Sequence, residues 1–197
     1  MGVEILLKYY QQLTDTQIAR FEKLEELYQD CNKKINVVSR KDIDELYFRH
    51  VLHSLGIAQG QRFNDLADIL DVGTGGGFPG IPLAILFPGT NFTMVDAIGK
   101  KIKVVNEVVE GLELANVKTF HTRVEQLPDL FDFIVSRAVA AMPTFVHWTK
   151  GKIKKEPAHE IRNGILYLKG GDLSEELRHY RNAQIFDLSD YFDEDFF

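Results

Sequence analysis

"ILDVGTGGGFPGIP", residues 69–82, decides the fold of this chain. Ile69, Leu70 and Val72 around Asp71 make a short apolar strand. Four glycines in five positions (Gly73, Gly75, Gly76 and Gly77) then make a turn. Pro79 and Pro82 suit the first turn of a helix, where a missing N–H costs little. Glycine lets the backbone come close to a ligand, and the helix N-terminus behind it presents unpaired N–H groups.

The pattern outward from this stretch is one of short apolar strands alternating with helices. Strands are expected at 69–72, 92–95, 117–121, 131–135, 164–168 and 183–187, with helices at 79–87, 98–113, 143–154 and 173–181. Such alternation implies an α/β fold, Rossmann-like, with a mostly parallel sheet covered by helices on both faces. Right-handed crossovers put all the strand C-termini on one edge, where ligands bind. Upstream of residue 63 the chain reads as a helical appendage. Thr14 and Gln17 form a T-x-x-Q capping box, followed at helical spacing by Ile18, Phe21, Leu24, Leu27, Tyr28 and Cys31. A second helix follows "NVVS" with the stripe Ile43, Leu46, Tyr47, His50, Val51 and Leu55. The division is therefore an appendage at 1–62 and a ligand-binding core at 63–197. The chain stops in "FDEDFF" with no strand completed after it, so either a final strand has been lost or disordered residues are expected to follow.

The glycine loop admits two ligands. Read from Gly75 it is G-G-G-F-P-G, matching the G-x-G-x-x-G of dinucleotide sites. Read from Asp71 it is D-V-G-T-G-G-G, the first loop of an S-adenosylmethionine site. Asp71 disfavours a pyrophosphate and suits the ammonium of an amino-acid ligand; it can equally cap the turn that follows. Asp96 ends the second strand, where a carboxylate accepts hydrogen bonds from a ribose diol, a feature common to both ligands. Its alternative is a helix N-cap.

Composition excludes other classes. The 197 residues are 45% hydrophobic and 26% charged, ordinary for one globular unit. A single cysteine, Cys31, excludes an internal disulfide and fits a reducing cytosol. No apolar run reaches membrane-spanning length and no signal-peptide pattern is present, so a soluble cytoplasmic protein is expected. The net charge of −6 is unlike that of a nucleic-acid binder, but "DLSDYFDEDFF" carries five acids and no base. Basic residues gather in "KKINVVSRK" (33–41) and "TKGKIKK" (149–155), either as one basic face or as solvated surface. The six histidines lack metal-ligand spacing, so no metal site is expected.

"DVGTGGGFPGIPLAILFP", "VDAIGKKIKVVNEVV", "TRVEQLP" and "FDFIVSRAVA", with "NVVSRKDIDELYFRHVLHSL" upstream and "LYLKGG" downstream, resemble the bacterial 16S ribosomal RNA guanine-N7 methyltransferase family, small-subunit methyltransferase G (glucose-inhibited division protein B). The Asn/Asp-Pro-Pro-aromatic motif of amino-methyltransferases is absent after the fourth strand. The resemblance implies a class I methyltransferase fold, S-adenosylmethionine as cofactor, and 16S ribosomal RNA or the small subunit as partner. It also implies that Gly73 and Phe78 bind the cofactor, that Val124 and Glu125 read its adenine, and that Arg137 stands beside its methionine end. With Gly75, Asp96 and Asp71 these are the expected cofactor residues. Arg123 and Arg137 are the candidates for the reacting and RNA-facing side. His53 stands where many relatives carry an acid.

Guanine N7 has a free lone pair and no proton to remove, so positioning and electrostatics suffice for in-line methyl transfer. Cys31, on an apolar stripe, is expected in the core, and His50 either there or, with Arg49, at the RNA site. RNA phosphates are expected to meet Lys33, Lys34, Arg40, Lys41, Arg123, Arg137, Lys150, Lys152, Lys154, Lys155 and Lys169. A monomer suffices. The competing readings are a small-molecule or protein methyltransferase, an NAD(P) oxidoreductase and a non-catalytic RNA-binding scaffold of the same fold.

Overall fold

The computed structural model describes residues 2–35, 43–156, 159 and 161–197. Arg40 and Lys41 lie outside them. Five parallel strands run in the order β3-β2-β1-β4-β5, with β1 (Asp68–Val72), β2 (Asn91–Asp96), β3 (Val117–His121), β4 (Phe133–Arg137) and β5 (Gly164–Leu168). Asp71 is in register with Met94 on β2 and with Val135 on β4, so the acid of the opening stretch sits on the central strand. Strand order reverses at β1, with β2 on one side and β4 on the other. That switch point opens a crevice at the C-terminal edge, directly beneath the glycine turn.

The N-terminal helices cover one face of the sheet. Helix α1 spans Glu4–Tyr9 and α2 spans Asp15–Lys34. Both halves of the Thr14–Gln17 capping box form at the start of α2. Phe21, Leu24, Tyr28 and Cys31 recur at helical spacing and are buried, in one continuous core with Ile69, Phe92 and Phe133 of the sheet. The same helix caps its neighbours. The Gln17 amide donates to the carbonyls of Ile85 and Leu86, closing the end of α3 (Gly80–Leu86). Arg20 and Lys23 donate to Leu112, Glu113 and Gly111, at the end of α4 (Gly99–Gly111). Cations on these last carbonyls satisfy orphan acceptors and oppose the negative end of the helix dipole. A smaller core on the other face gathers Leu70, Val72, Val95, Ile134 and Phe145.

Several element boundaries differ from the sequence expectation. The fourth strand is Phe133–Arg137, not 131–135, so it carries Arg137 to the ligand edge. The helix expected at 143–154 is α5, Met142–Trp148. It stops where the Thr149 hydroxyl bonds back to the Phe145 carbonyl and Gly151 turns to a positive φ, after which Ile153 bridges to Phe131. The helix expected at 173–181 is a single turn, Ser174–Leu177. Residues 183–187 form no strand; Ile185 and Phe186 are exposed, and no second face covers their apolar side chains. The terminal segment packs on the N-terminal helices instead. Phe192 is buried edge-on against Tyr9, and Glu194 accepts from Lys8 and Tyr9.

The second N-terminal helix is a π-helical segment, Leu46–Leu52, followed by the turns His53–Leu55 and Ile57–Gly60. One extra residue in a helical turn re-aims the side chains that follow and is frequent at functional sites. Among the described residues no helix is long and apolar enough to cross a membrane, and no group of three His, Cys, Asp or Glu could hold a metal ion.

Candidate active site

A cleft of about 450 Å³ opens at the C-terminal edge of the sheet, within the usual size of small-molecule sites. Gly73, Gly75 and Phe78 line it from the turn after β1, and Asp96 from the end of β2. Arg123, Val124 and Glu125 line it from the segment after β3, and Arg137 from the end of β4. The structure thus gathers eight of the nine residues singled out from the sequence.

Asp71 is the exception. It does not line the cleft. Its Oδ2 accepts from the Thr74 hydroxyl at 2.6 Å and from the Gly80 amide at 3.0 Å, so it ties the turn to the start of α3. Fully buried, its carboxyl is pushed up to about 7, chiefly by loss of solvation, against the pull of those two bonds and of Arg137. Of the two roles open to Asp71 in the sequence, the geometry places it in the turn cap.

Asp96 lines the cleft and ties the turn in place, while the N-cap position of α4 falls to Ile98. The Asp96 Oδ2 accepts from the Gly75 amide at 3.0 Å and its Oδ1 from the Ile98 amide at 2.8 Å, just before α4. A carboxylate has about four acceptor sites, so capping the turn leaves capacity for a diol. Lys101 stands 3.7 Å from Oδ2. A Cβ built on Gly75 meets nothing nearer than the Gly73 carbonyl at 3.9 Å, so the turn leaves open space at this position. Val72, Val95, Val124 and Trp148 add apolar walls, and Glu125 a carboxylate. Together they fit a nucleoside with a planar base and a ribose diol.

At the other end stands Arg137. Its guanidinium donates to the Arg49 carbonyl at 3.1 Å and to His50 Nδ1 at 2.7 Å, and lies 5.2 Å from the centre of the Phe78 ring. Guanidinium can only donate, so His50 accepts through Nδ1 and carries its proton on Nε2 when neutral. Phe78 is sandwiched, with Tyr28 stacked at 5.0 Å and His50 at 5.1 Å. The Tyr28 hydroxyl donates to the Gly76 carbonyl at 2.7 Å, which anchors the glycine turn to α2. The N-terminal helices therefore build part of the site. Sequence reasoning left His50 between core and RNA site; only the π-helical segment, unreadable from periodicity, explains its place in the cleft. It also missed Lys101, Val139 and Trp148, which line the same cavity.

The basic clusters divide. Lys154 pairs with Asp68 at 2.6 Å and Asp132 at 2.9 Å. Asp68 starts β1, so Lys154 lies about 13 Å, four strand residues, from the cleft edge. Lys152 donates to the Glu125 and Leu127 carbonyls, Lys33 pairs with Asp30, and Lys169 pairs with Glu176. Each of these four lysines thus has a partner within the chain. Arg123 and Arg137 remain at the cleft.

Asp71, behind the turn, and His53 carry opposing pH dependences of stability. Burial, helped by Arg137, lowers the His53 pKa to about 4. The folded protein thus excludes a proton that an unfolded histidine takes up near 6.5, and stability is lost as pH falls through that window. Asp71 is the reverse: the folded state holds a proton that the unfolded chain releases near 3.9, so stability falls as pH rises toward 7. Each slope is at most about 1.4 kcal/mol per pH unit, and around pH 5 they oppose each other. Relative to wild type, Asp71→Asn is expected to tilt urea-derived stability upward with pH between 4.5 and 6.5, and His53→Gln to tilt it downward. Tilts of the same sign in both variants would show that these groups do not carry the balance.

Residues 17–192 match the GidB family model, described as rRNA small subunit methyltransferase G. The "Ribosomal RNA small subunit methyltransferase G" of Christiangramia forsetii is 70% identical over 197 residues, covering 100% of this chain and 93% of that protein. That of Flavobacterium johnsoniae is 60% identical over 192 residues, covering 98% and 92%. Among solved structures, a ribosomal protein L11 methylase from Lactobacillus delbrueckii subsp. bulgaricus superposes with a TM-score of 0.51 at 18% identity, over 65% of each chain, a likeness of fold. The dinucleotide reading of the glycine turn is thereby set aside in favour of S-adenosylmethionine. The chain belongs to the rRNA small subunit methyltransferase G family.

Proposed function

We propose that this enzyme transfers the methyl group of S-adenosylmethionine to N7 of a guanine in 16S ribosomal RNA, acting as a monomer in the cytoplasm. The observation that carries the reading is the family match across residues 17–192, with the cleft built from the family's own motif positions. The cofactor supplies an electrophilic methyl group on sulfur. The chain supplies the rest. Asp96 would accept from the ribose diol, Val124 and Glu125 would hold the adenine, and the Gly73–Phe78 turn would hold the rest of the cofactor. Arg137, held over Phe78, meets the methionine carboxylate or the incoming RNA.

A guanine N7 acceptor asks little acid–base chemistry of the protein. Its lone pair attacks directly, so orientation of the base and exclusion of water supply the acceleration. The base must leave its stack to reach the cleft, and Arg123 and Lys101 at the rim suit the flanking phosphates.

The test is methylation by the purified enzyme, with labelled S-adenosylmethionine, of free 16S RNA and of small subunits from a strain lacking the gene. Label is expected at one guanine that becomes a strand-scission site after borohydride and aniline treatment, the signature of N7 methylation. Label on another atom, or in ribosomal protein, overturns the proposal, and the two substrate arms distinguish free RNA from the assembled particle.

A further inference from the structure

The segment between β4 and α5, Ala138–Ala141, has no regular structure, yet it borders the cleft beside Arg137 through Ala138 and Val139. It is held in an uncommon shape. Ala138 has φ of +51°, a left-handed conformation that a side chain disfavours. Val139 packs so closely on Gly73 that a Cβ there would lie 2.7 Å from its Cγ2. A loop of this kind keeps its geometry only where its surroundings fix it.

The fixing comes from β5 and the turn beyond it. The Tyr167 hydroxyl accepts from the amides of Val139 at 3.0 Å and Ala140 at 2.8 Å, and donates to the Ala140 carbonyl at 2.8 Å. Lys169 donates to the same carbonyl at 3.0 Å and pairs with Glu176. The Glu176 carboxylate also accepts from the Met142 amide, at the far end of the loop. Lys169 lies over the Tyr167 ring, 4.6 Å from its centre, which joins the three side chains into one clasp. One hydroxyl thus satisfies three backbone groups of a loop that touches both the cofactor turn and the space left for the acceptor.

We propose that Tyr167 is a positioning residue for methyl transfer: its hydroxyl sets the 138–141 loop so that Val139 and Arg137 align the acceptor base against the methyl donor. This rests on the methyltransferase reading above. Tyr167 itself does not line the cleft, so it acts through the loop. The candidate cofactor residues Asp96, at the end of β2, and Val124 and Glu125, in the turn after β3, lie on other elements and make none of the clasp's hydrogen bonds.

The experiment compares wild type with Tyr167→Phe, which keeps the ring and removes the hydroxyl. Methyl transfer to gene-deleted small subunits, calorimetric titration with S-adenosylhomocysteine and thermal unfolding are measured together. The expected result is a fall of tenfold or more in kcat, with S-adenosylhomocysteine affinity within about threefold of wild type. Unchanged kcat overturns the proposal, and so does a parallel loss of cofactor affinity and activity, which marks a merely structural hydroxyl. Should Tyr167→Phe not fold, Glu176→Ala frees the Met142 amide and Lys169 at the other end of the loop and carries the same expectation. Failure of the methyltransferase reading is distinguishable, since wild type itself would then transfer no methyl group.

Discussion

Gly73→Ala is expected to weaken binding of S-adenosylhomocysteine by about thirtyfold or more. Two costs combine at this residue. Its φ of +66° lies in the left-handed region, where a Cβ costs about 1–2 kcal/mol. The added carbon would also lie 2.7 Å from Val139 Cγ2 and 3.0 Å from Cγ1, a branched side chain with little freedom, and such overpacking costs about 1–3 kcal/mol. The turn must shift, and with it the amides of Gly75 and Thr74, which bond to Asp96 and to the Val95 carbonyl. The two costs can be separated. Val139→Ala removes both clashing methyl groups and leaves φ untouched. The double variant Gly73→Ala/Val139→Ala should therefore recover up to about tenfold of the lost affinity in a double-mutant cycle. Gly75→Ala is the contrast: its φ of +59° carries the same conformational cost, but the new carbon meets nothing nearer than 3.9 Å. In the absence of ligand it should unfold at higher urea than Gly73→Ala. Gly73→Ala binding within threefold of wild type, or no recovery in the double variant, would remove the close packing of turn and loop from the account of this site.

What could be read from the sequence is local, and what could not is long-range. Gly73, Gly75 and Phe78, Asp96, Val124 with Glu125, and Arg137 each stand at or just past a strand's C-terminal end. In a parallel sheet those ends share one edge, which is why the loop glycines and Asp96, read from the strand pattern, and Phe78, Val124, Glu125 and Arg137, implied by the family resemblance, line one cleft. Asp71 lies one residue before the end of β1, and that single step puts its carboxylate behind the turn, on Thr74 and Gly80. Lys154 looked like part of a basic run, but its partners Asp68 and Asp132 sit at the starts of strands, on the opposite edge. Charge counting along the chain has no access to that distinction. His50 follows the apolar stripe of a regular helix on paper, and the π-helical segment Leu46–Leu52 redirects it to Arg137. The expected strand at 183–187 has the right residue types, but strand formation depends on a partner edge and a covering face as well as on propensity.

Arg137 gathers these long-range contacts, and its replacement is expected to produce the largest loss of activity. Arg137→Ala removes the donor to the Arg49 carbonyl and to His50 Nδ1 and the cation over Phe78. Methyl transfer should fall at least about a hundredfold, equivalent to about 2.7 kcal/mol of transition-state stabilisation. Arg137→Lys keeps the charge but offers a compact ammonium in place of a planar fork, so it cannot reproduce two divergent hydrogen bonds and a stacked face. It should recover less than a tenth of wild-type activity. A second readout follows the charge alone. Burial is the first cause of the depressed His53 pKa and Arg137 the second. In Arg137→Ala the His53 ring should titrate above its value of about 4, moving toward the ordinary histidine range, whereas Arg137→Lys should leave it low, as followed by proton NMR of the imidazole. The pair of variants thus separates what the guanidinium does by shape from what it does by charge. If both retain transfer within threefold of wild type, Arg137 supports the π-helical segment without acting on the reaction. If transfer falls while His53 stays near 4 in both, the fork's geometry, not its field, is what the reaction requires.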